Sequence, residues 1–269
     1  MDTMLTPTKK EINGYHLKMI ALVTMFIDHT AAIILYKALT QTGTAGFVTI
    51  ENYDLWYEIY NIMRYLGRMA FPIYCFLLVE GFHHTKNLKK YILRLLIFSV
   101  ISEIPFDLAF NGSVLELGYN NVFFTLWIGL LVILALDLVR QKFTLEKFHG
   151  AEWTIMSFFK VFALGLILLT GMFVAGGLLC TDYGAAGVVA IVAMYILYQS
   201  PMIGFTLGVM ALGIMASTSE YLALLMLIPL YFYNGTRGKQ VKYLFYGFYP
   251  VHLLVLVGTA ALFGLTILY

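Results

Sequence analysis

The sequence is poor in charged residues, and no stretch of it resembles a water-soluble domain. Charged residues make up 12% of the 269 residues, whereas soluble globular domains carry about 25%. The longest polar interval runs from Lys37 to Glu58, and it still contains Phe47, Val48 and Trp56. With 61% apolar residues and a mean hydropathy of +0.83, the chain cannot be a soluble protein with one anchor. The composition indicates an integral membrane protein.

Cysteine, net charge and a cleavable leader are also scarce or missing. Cys75 and Cys180 lie in or at the end of apolar runs, without other metal-ligating residues around them, so we expect no structural disulfide and no metal site. A net charge of +2 gives no reason to expect a nucleic-acid partner. Residues 1–14 have no apolar core and no small-residue cleavage site, so the first span is expected both to target and to anchor the chain.

The apolar runs predict an all-α, polytopic helical bundle with about nine transmembrane helices, forming one domain over residues 1–269. A helix that crosses a membrane needs about 20 mostly apolar residues. The runs are continuous and longer than the alternating segments of about ten residues that a membrane β-barrel requires. The predicted spans are 16–37, 58–82, 91–110, 122–140, 157–180, 185–199, 202–217, 219–234 and 243–267.

Lysine and arginine concentrate on one side of this nine-span arrangement, as cytoplasmic loops require. These residues are Lys9, Lys10, Lys18, Lys86, Lys89, Lys90, Arg94, Arg140, Lys142, Lys147, Lys160, Arg237, Lys239 and Lys242. The loops on the opposite side carry one lysine, Lys37, and the acids Glu51, Asp54, Glu116, Asp182 and Glu220. The asymmetry predicts a cytoplasmic N-terminus and a C-terminus on the other side of the membrane.

Six ionisable residues lie inside the first three predicted spans at a similar depth. They are Asp28 and His29 in span one, Arg64 and Arg68 in span two, and Glu103 and Asp107 in span three. A charge at the centre of the bilayer costs at least about 2.5–3.5 kcal/mol, so each is a candidate functional residue. One interpretation is a buried ion-pair cluster that braces the three helices. Because buried ion pairs add little stability by themselves, we favour a functional site.

Two prolines interrupt the predicted helices beside these charges. Pro72 removes the hydrogen bond to the carbonyl of Arg68, and Pro105 removes the one to the carbonyl of Ile101. Interrupted backbone at membrane depth is tolerated where it is packed in protein or lines a cavity. Each proline therefore predicts either an ordinary kink or a cavity next to the charged residues.

Other polar residues are candidates that also have an ordinary structural explanation. His252 lies within the last span, where a packing role explains it as well as a functional one. Asn121 opens span four, where an N-cap is expected. The basic run 86–90 follows from the asymmetry of the loops, or it binds an anionic ligand. The candidates for substrate binding are Glu80, Asn121, Asp182, Tyr183 and His252.

Several segments, in this order, resemble the TraX family and together cover residues 17 to about 255. They are LKMIALVTMFIDHTAA, the long and specific YLGRMAFPIYCFLLVEGFHHTKNLKKYILRLLIFSVISEIPFDLAF, NNVFFTL, TDYGAAGV, IPLYFYNGTRGK and YGFYPVHLL. The TraX protein of conjugative plasmids acetylates the N-terminus of pilin, and the family is similar to the wider transmembrane acyltransferases. The resemblance implies a multi-pass acetyltransferase of the bacterial cytoplasmic membrane that uses cytosolic acetyl-coenzyme A and an intramembrane histidine.

The resemblance also assigns motif positions to the charged spans. His29 is similar to the first-helix histidine of the wider group. The other positions that match family motifs are Arg68, Pro72, Glu80, Gly81, Glu103, Pro105 and Asp107. Because such proteins also occur in bacteria without a conjugative pilus, the acceptor is left open between a peptide N-terminus, a glycan and a lipid.

These residues suggest a hypothesis for acetyl transfer. His29 is the predicted general base, because the ordinary pKa of imidazole, about 6.5, suits that role. Glu103 or Asp107 is expected to hold the other imidazole nitrogen. Arg64 or Arg68 is expected to stabilise the oxyanion, or only to pair with a carboxylate. The phosphates of coenzyme A are expected near Lys86, Lys89, Lys90 and Arg94.

Two other classes of function fit the same charges. Intramembrane acids, histidine and arginine also mark proton and ion pathways, so a proton-coupled small-molecule transporter is one alternative. Against it, the chain has no paired halves with matching interrupted helices. The second alternative is a membrane assembly factor for a surface appendage, in which the charges pair with a partner helix. In every case membrane lipids surround the chain.

Overall fold

The computed structural model describes residues 11–144, 151–239 and 242–266. Lys9, Lys10 and Lys147, which contribute to the predicted charge asymmetry, lie outside these ranges. Within them every regular element is helical, apart from isolated backbone bridges. The predicted all-α class is therefore confirmed.

Several helices are long, and some change their helical register before they end. The α-helices of the described residues are α1 (Gly14–Thr30), α2 (Tyr36–Thr40), α3 (Tyr53–Gly67), α4 (Ala70–His84), α5 (Leu88–Phe106), α6 (Val122–Thr144), α7 (Ala151–Phe173), α8 (Gly184–Ile196), α9 (Pro201–Met215), α10 (Leu227–Tyr231) and α11 (Lys242–Leu262). Segments of π-helix extend α1, α5 and α7 at Ala31–Leu35, Asp107–Asn111 and Val174–Leu178. Segments of 3-10 helix precede α3 and α10 at Ile50–Asn52 and Thr218–Met226.

Local sequence explains where several of these helices start and break. The side chain of Asn13 accepts hydrogen bonds from the first amides of α1 and caps that helix. The chain leaves the helix between α3 and α4, shortly before Pro72, and α5 gives way to π-helix directly after Pro105 and Phe106. Both predicted interruptions are therefore present, and both adjoin the charged residues.

Contacts between distant segments define two ends of the bundle. At one end the N–H of Gly14 donates to the carbonyl of Thr236 at 2.8 Å, and at the other the N–H of Asn120 donates to the carbonyl of Cys180 at 3.1 Å. The first end is called the basic end, and it carries Lys18, His84, Arg94 and Arg237. The second is called the acidic end, and it carries Glu116 and Asp182.

The chain is a membrane protein by the length and composition of its helices. Among the residues that the structure describes, four stretches are long and apolar enough to cross a membrane, namely Gly14–Thr40, Ile50–His84, Val122–Gln141 and Phe245–Leu262. By that measure the predicted count of nine spans is not confirmed, for two reasons. The helix α5 carries several charges, and the apolar helical stretches Gly184–Ile196, Pro201–Met215 and Thr218–Tyr231 have only 10–17 residues, below the usual length of about 20.

Apolar side chains cover the outer faces of the helices as well as the core. Ile133 and Leu253 are fully buried, whereas Leu169, Ile214 and Val251 are more than half exposed. In water such exposure would cost about 25 cal/mol for each Å² of apolar surface, but against lipid it costs nothing. The outer faces therefore fit a bilayer.

Candidate functional site

Asp28 and His29 lie near the end of α1, directly before the π-helical segment Ala31–Leu35. Successive helical residues point about 100° apart, so the two side chains meet different neighbours. Asp28 contacts α3, while His29 contacts α11. Segments of π-helix are frequent at functional sites, and this one follows both residues.

The ion-pair cluster consists of Asp28, Arg64, Arg68 and Glu220. Nη1 of Arg64 donates to Oδ2 of Asp28 at 2.7 Å, and Nη2 of Arg68 donates to Oδ1 at 3.3 Å. Nη1 of Arg68 also donates to Oε1 of Glu220 at 3.0 Å. Two guanidinium groups thus neutralise two carboxylates. Both arginines contact Asp28, as expected for residues at a similar depth in adjacent spans.

Glu220 is a member of this cluster that the sequence did not reveal. Its side chain is 1% exposed, and it lies in the 3-10 segment Thr218–Met226. In the sequence it stands in an outer loop at the start of a short span, where an acid in the first helical turn is ordinary. The sequence feature that could have indicated its burial is the uninterrupted apolar run that follows it, 221–230.

Gly67 permits the close approach of α3 to Asp28. A Cβ atom at position 67 would lie 2.2 Å from both Cβ and Oδ1 of Asp28. Non-bonded atoms cannot approach that closely, so any larger residue would push α3 away from α1. The pairing of Arg64 with Asp28 therefore depends on a glycine in the last turn of α3.

Substituting this glycine should weaken the fold. We expect Gly67→Ala to lower the free energy of unfolding by about 1–3 kcal/mol, the usual cost of overpacking. Unfolding in mixed micelles can be followed by labelling of the buried thiol of Cys75. Gly165→Ala and Gly258→Ala are matched controls, because a Cβ there has no neighbour within 4 Å. Equal midpoints for all three variants would contradict the prediction.

His29 and His252 form a histidine pair. Nδ1 of His29 lies 2.6 Å from Nε2 of His252, and the two rings are stacked with their centroids 4.9 Å apart. Neither Glu103 nor Asp107 holds the second imidazole nitrogen, in contrast to the prediction. The reason is that α11 packs against α1 and places His252 beside His29.

Hydrogen bonding assigns the tautomer of both rings in their neutral state. Nδ1 of His252 lies 2.8 Å from the carbonyl oxygen of Phe248, which can only accept. Nδ1 of His252 therefore carries the proton, and its Nε2 accepts the bond from Nδ1–H of His29. This leaves Nε2 of His29 unprotonated, with its lone pair available, on a residue that lines a cavity.

Glu103 and Asp107 stand apart from the ion-pair cluster. Oε2 of Glu103 accepts from the backbone and side-chain nitrogens of Asn121. Oδ1 of Asp107 accepts from Nδ2 of Asn111 at 2.7 Å, and its Oδ2 accepts from the N–H of Glu116 at 2.8 Å. Both carboxylates thus organise the connection between α5 and α6, so the interpretation of one ion-pair cluster that joins all six residues does not hold for them.

Asn121 also has a structural place. It is fully buried, its Oδ1 accepts from the N–H of Phe123, and its Nδ2 donates to the carbonyl of Ser99. It lines neither of the two cavities described below. Its geometry is that of a buried cap at the start of α6, not of a substrate-binding residue.

The acidic-end cavity has a volume of about 260 Å³ and contains the charged and aromatic residues of the site. Phe71 and Tyr183 stack inside it with centroids 3.7 Å apart, and the hydroxyl of Tyr119 donates to Asp182. Partial removal of the Tyr119 hydroxyl from water, together with the adjacent Asp182 carboxylate, raises the pKa of Tyr119, so this hydroxyl stays a donor. The polar residues that line the cavity are Asp28, His29, Tyr36, Tyr60, Arg64, Arg68, Tyr74, Tyr119, Asp182, Tyr183 and Tyr249.

The basic-end cavity has a volume of about 230 Å³ and is lined by several cationic residues. The guanidinium of Arg94 lies between the rings of Tyr91 and Tyr246, 5.6 and 5.3 Å from their centroids. Its Nε is buried and has no hydrogen-bond partner within the described part of the chain. Oε2 of Glu80 accepts from the hydroxyl of Tyr233 at 2.9 Å. The cationic or basic residues that line the cavity are Lys18, His84, Arg94 and Arg237.

The three lysines predicted to meet coenzyme A are placed differently from Arg94. Lys86, Lys89 and Lys90 are exposed and line neither cavity. They lie at the connection between α4 and α5, next to Thr85, which does line the basic-end cavity. Lys18 and Arg237, which the sequence did not single out, line this cavity together with Arg94. No group of three metal-ligating side chains is close enough to hold a metal ion among the residues that the structure describes.

Comparison with known proteins supplies a relative and a family. The chain is 28% identical over 274 residues to the "Probable fimbrial assembly protein FimC, serogroup H1" of Dichelobacter nodosus, covering 91% of this chain and 95% of the relative. No solved structure shows a significant match. A family model described as "TraX protein" matches residues 13–260. With nearly its whole length matched, the chain belongs to the TraX family.

Proposed function

We propose that this chain is an acetyltransferase of the bacterial cytoplasmic membrane, which moves an acetyl group from cytosolic acetyl-coenzyme A to an amine or hydroxyl acceptor. The observation that carries the proposal is His29, whose Nδ1 is paired with Nε2 of His252 and which lines a cavity that also holds Arg64 and Arg68. A base beside fixed cations is the arrangement that acyl transfer needs, because a proton must leave the acceptor while negative charge develops on the carbonyl oxygen.

The proposed topology has nine spans, with the basic end in the cytoplasm. The positive-inside rule favours this orientation, because Lys18, Arg94 and Arg237 lie at the same end of the bundle. The short helices α8 and α9 then cross a locally thin bilayer or a region shielded by neighbouring helices. Acetyl-coenzyme A meets the basic end, and the acceptor meets the acidic end.

The basic-end cavity suits an anionic donor with a narrow arm. Lys18, Arg94 and Arg237 provide cationic groups for phosphates, and a buried Nε of Arg94 has a hydrogen bond left to donate. The donor supplies a thioester, whose carbonyl carbon is open to attack by a nucleophile. At 230 Å³ the cavity matches the slender end of such a donor, while its larger nucleotide part stays at the surface.

Removing the charge of Arg94 tests this donor site. We expect Arg94→Met to raise KM for acetyl-coenzyme A about 10- to 100-fold, because a hydrogen bond to a charged group contributes about 1.5–3 kcal/mol. The matched control is Lys89→Met, which removes an exposed charge outside the cavity in the same helix and should change KM less than twofold. A larger effect in the control would contradict the assignment.

In the proposed chemistry, Nε2 of His29 takes the proton of the acceptor N–H or O–H group as its nitrogen or oxygen attacks the thioester carbonyl. The new C–N or C–O bond forms, and the C–S bond breaks. The proton on His29 then passes to the leaving thiolate, so that free coenzyme A departs as a thiol and the base is regenerated. Arg64 and Arg68, fixed by Asp28, provide positive charge near the developing oxyanion.

The acceptor is proposed to enter the acidic-end cavity. The relative's name, a probable fimbrial assembly protein, favours a peptide of a surface appendage over a glycan or a lipid. Asp182 and Tyr183 line this cavity and are proposed to bind the acceptor amine. Glu80 belongs to the other cavity and is therefore assigned to the donor side.

A membrane assembly factor is the second candidate, and the relative's name favours it directly. In that role the chain would bind an appendage subunit without consuming a thioester. A third class, the proton-coupled transporter, predicts transport across liposomes in the absence of any acyl donor. The three classes therefore differ in whether thioester is consumed and whether solute is moved.

Thiol release by the purified protein in nanodiscs tests the proposal. The donor is acetyl-coenzyme A, and the model acceptors are a short peptide with a free N-terminus and an amino sugar. Release of free thiol together with acetylation of one acceptor is the expected result. Binding of an appendage subunit without thiol release would favour the assembly factor. If the protein neither releases thiol nor binds coenzyme A, the acetyltransferase proposal is overturned.

A further inference from the structure

The two cavities meet at four side chains that line both of them. These are Met25 of α1, Tyr74 of α4, Val122 of α6 and Tyr249 of α11. Each comes from a different helix, and each lines both cavities. In the proposed reaction, an acyl group that moves from the basic-end cavity to His29 passes these side chains.

We propose that these four side chains form a constriction that selects the acyl group by its length, and that Met25 sets the limit. The inference rests on the proposed acetyl transfer and adds to it the residues that restrict the donor to short acyl chains. An acyl group that enters from the basic end reaches the constriction before its carbonyl carbon can meet Nε2 of His29.

Met25 occupies the decisive place because it precedes His29 by one helical turn on the same face of α1. It is 8% exposed and lies in the part of the core formed by α1 and α11. Its unbranched side chain has three rotatable bonds and can adjust its position without moving the helix. A small rotation of Met25 can therefore open or close the passage.

The other three positions form a firmer wall. Tyr249 is 3% exposed, and its ring makes edge contacts with Phe123 and His29 at centroid distances of 4.9 and 5.9 Å. Val122 opens α6 directly after Asn121, which Glu103 anchors. A β-branched valine has little freedom at χ1, so the space beside Met25 is fixed by Val122 and Tyr249.

Selection follows from the packing of this constriction. Each methylene added to an acyl chain needs volume that a close-packed wall does not offer. One methylene in an apolar pocket changes the specificity constant by about 10- to 200-fold. Wild-type protein should thus prefer acetyl over butanoyl donors by at least that factor.

The test compares thiol release from acetyl-, propanoyl- and butanoyl-coenzyme A, with the peptide acceptor present. Met25→Ala should raise kcat/KM for butanoyl relative to acetyl by at least about tenfold. The matched control is Met194→Ala, because Met194 is also buried but lies in α8 outside both cavities. In the control the preference for acetyl should not change.

A second pair of variants covers the case in which Met25→Ala fails to fold. Val122→Ala removes less volume and should also raise kcat/KM for butanoyl relative to acetyl, whereas Val122→Phe adds bulk to the constriction and should lower the transfer of every acyl group. If the wild type is active and both Met25→Ala and Val122→Ala keep its preference for acetyl over butanoyl, this inference is overturned and the proposed function is not. A wild type that releases no thiol from any donor would overturn the proposed function and this inference together.

Discussion

Replacing His29 with alanine will reduce thiol release from acetyl-coenzyme A by about 10²- to 10⁴-fold, the usual contribution of a general base. The acceptor would then lose its proton to water alone, since His252 Nε2 faces His29 and not the cavity. Coenzyme A binding should not change, because His29 does not line the basic-end cavity. The measurement is thiol release beside equilibrium binding of coenzyme A in the same nanodisc samples.

Two further variants separate chemistry from folding in this experiment. His16→Ala removes an exposed histidine from the first turn of the same helix and should retain full activity. His252→Ala removes the acceptor that fixes the tautomer of His29 and should lower kcat about tenfold or more, with KM for the donor nearly unchanged. Full activity of His29→Ala would exclude His29 as the base.

The effect of His252 also explains a limit of sequence-based prediction at this site. The hydrophobic runs place His29 and His252 in the first and last predicted spans, but they do not say which spans are neighbours. The two histidines are separated by 223 positions, and their contact depends on the docking of α11 against α1. From sequence alone, His252 is equally well explained by packing.

The depth of the charged residues was the most informative feature of the sequence. It correctly brings Asp28 together with Arg64 and Arg68, because charges at one depth on adjacent antiparallel helices can reach each other. The same reasoning fails for Glu103, which points toward the amide groups that open α6. Depth says how far along a helix a residue lies, whereas the partner depends on the direction of its side chain.

The asymmetry of lysine and arginine distinguished the two ends of the bundle. It did not show which basic residues lie on the surface and which line a cavity. Lys86, Lys89 and Lys90 form the most conspicuous basic run, and the structure leaves them exposed. Lys18 and Arg237 do not belong to this run, yet they line the basic-end cavity because the N-terminal segment pairs with the segment before α11. That pairing joins residues more than two hundred positions apart, and no local pattern predicts it.

Replacing Arg68 with methionine should lower the free energy of unfolding by about 3 kcal/mol or more. Arg68 is the cation that joins Asp28 to Glu220, and Glu220 is 1% exposed. Removing one member of a buried ion pair costs about 3–5 kcal/mol, because the remaining charge has no partner. We expect the lower part of this range, since Asp28 keeps Arg64 and some exposure.

A charge-matched double variant tests the origin of that cost. Glu220→Gln alone leaves an excess of positive charge, whereas Arg68→Met with Glu220→Gln leaves Asp28 and Arg64 as a balanced pair. The double variant should therefore be more stable than the sum of the two single effects predicts, by about 0.5–3 kcal/mol. Unfolding in mixed micelles gives all four stabilities, and strict additivity would contradict the pairing.

The same double variant decides between a brace and a functional site. If Arg68 only braces the bundle, thiol release should return together with stability when Glu220 is neutralised. If Arg68 stabilises the oxyanion, stability should recover while kcat stays about 10²- to 10³-fold below wild type, the usual cost of one lost oxyanion donor. We expect the second result, because Arg68 lines the acidic-end cavity beside His29 whereas Glu220 does not. A guanidinium group held by two carboxylates is then a preorganised charge, and the buried acids are there to position it.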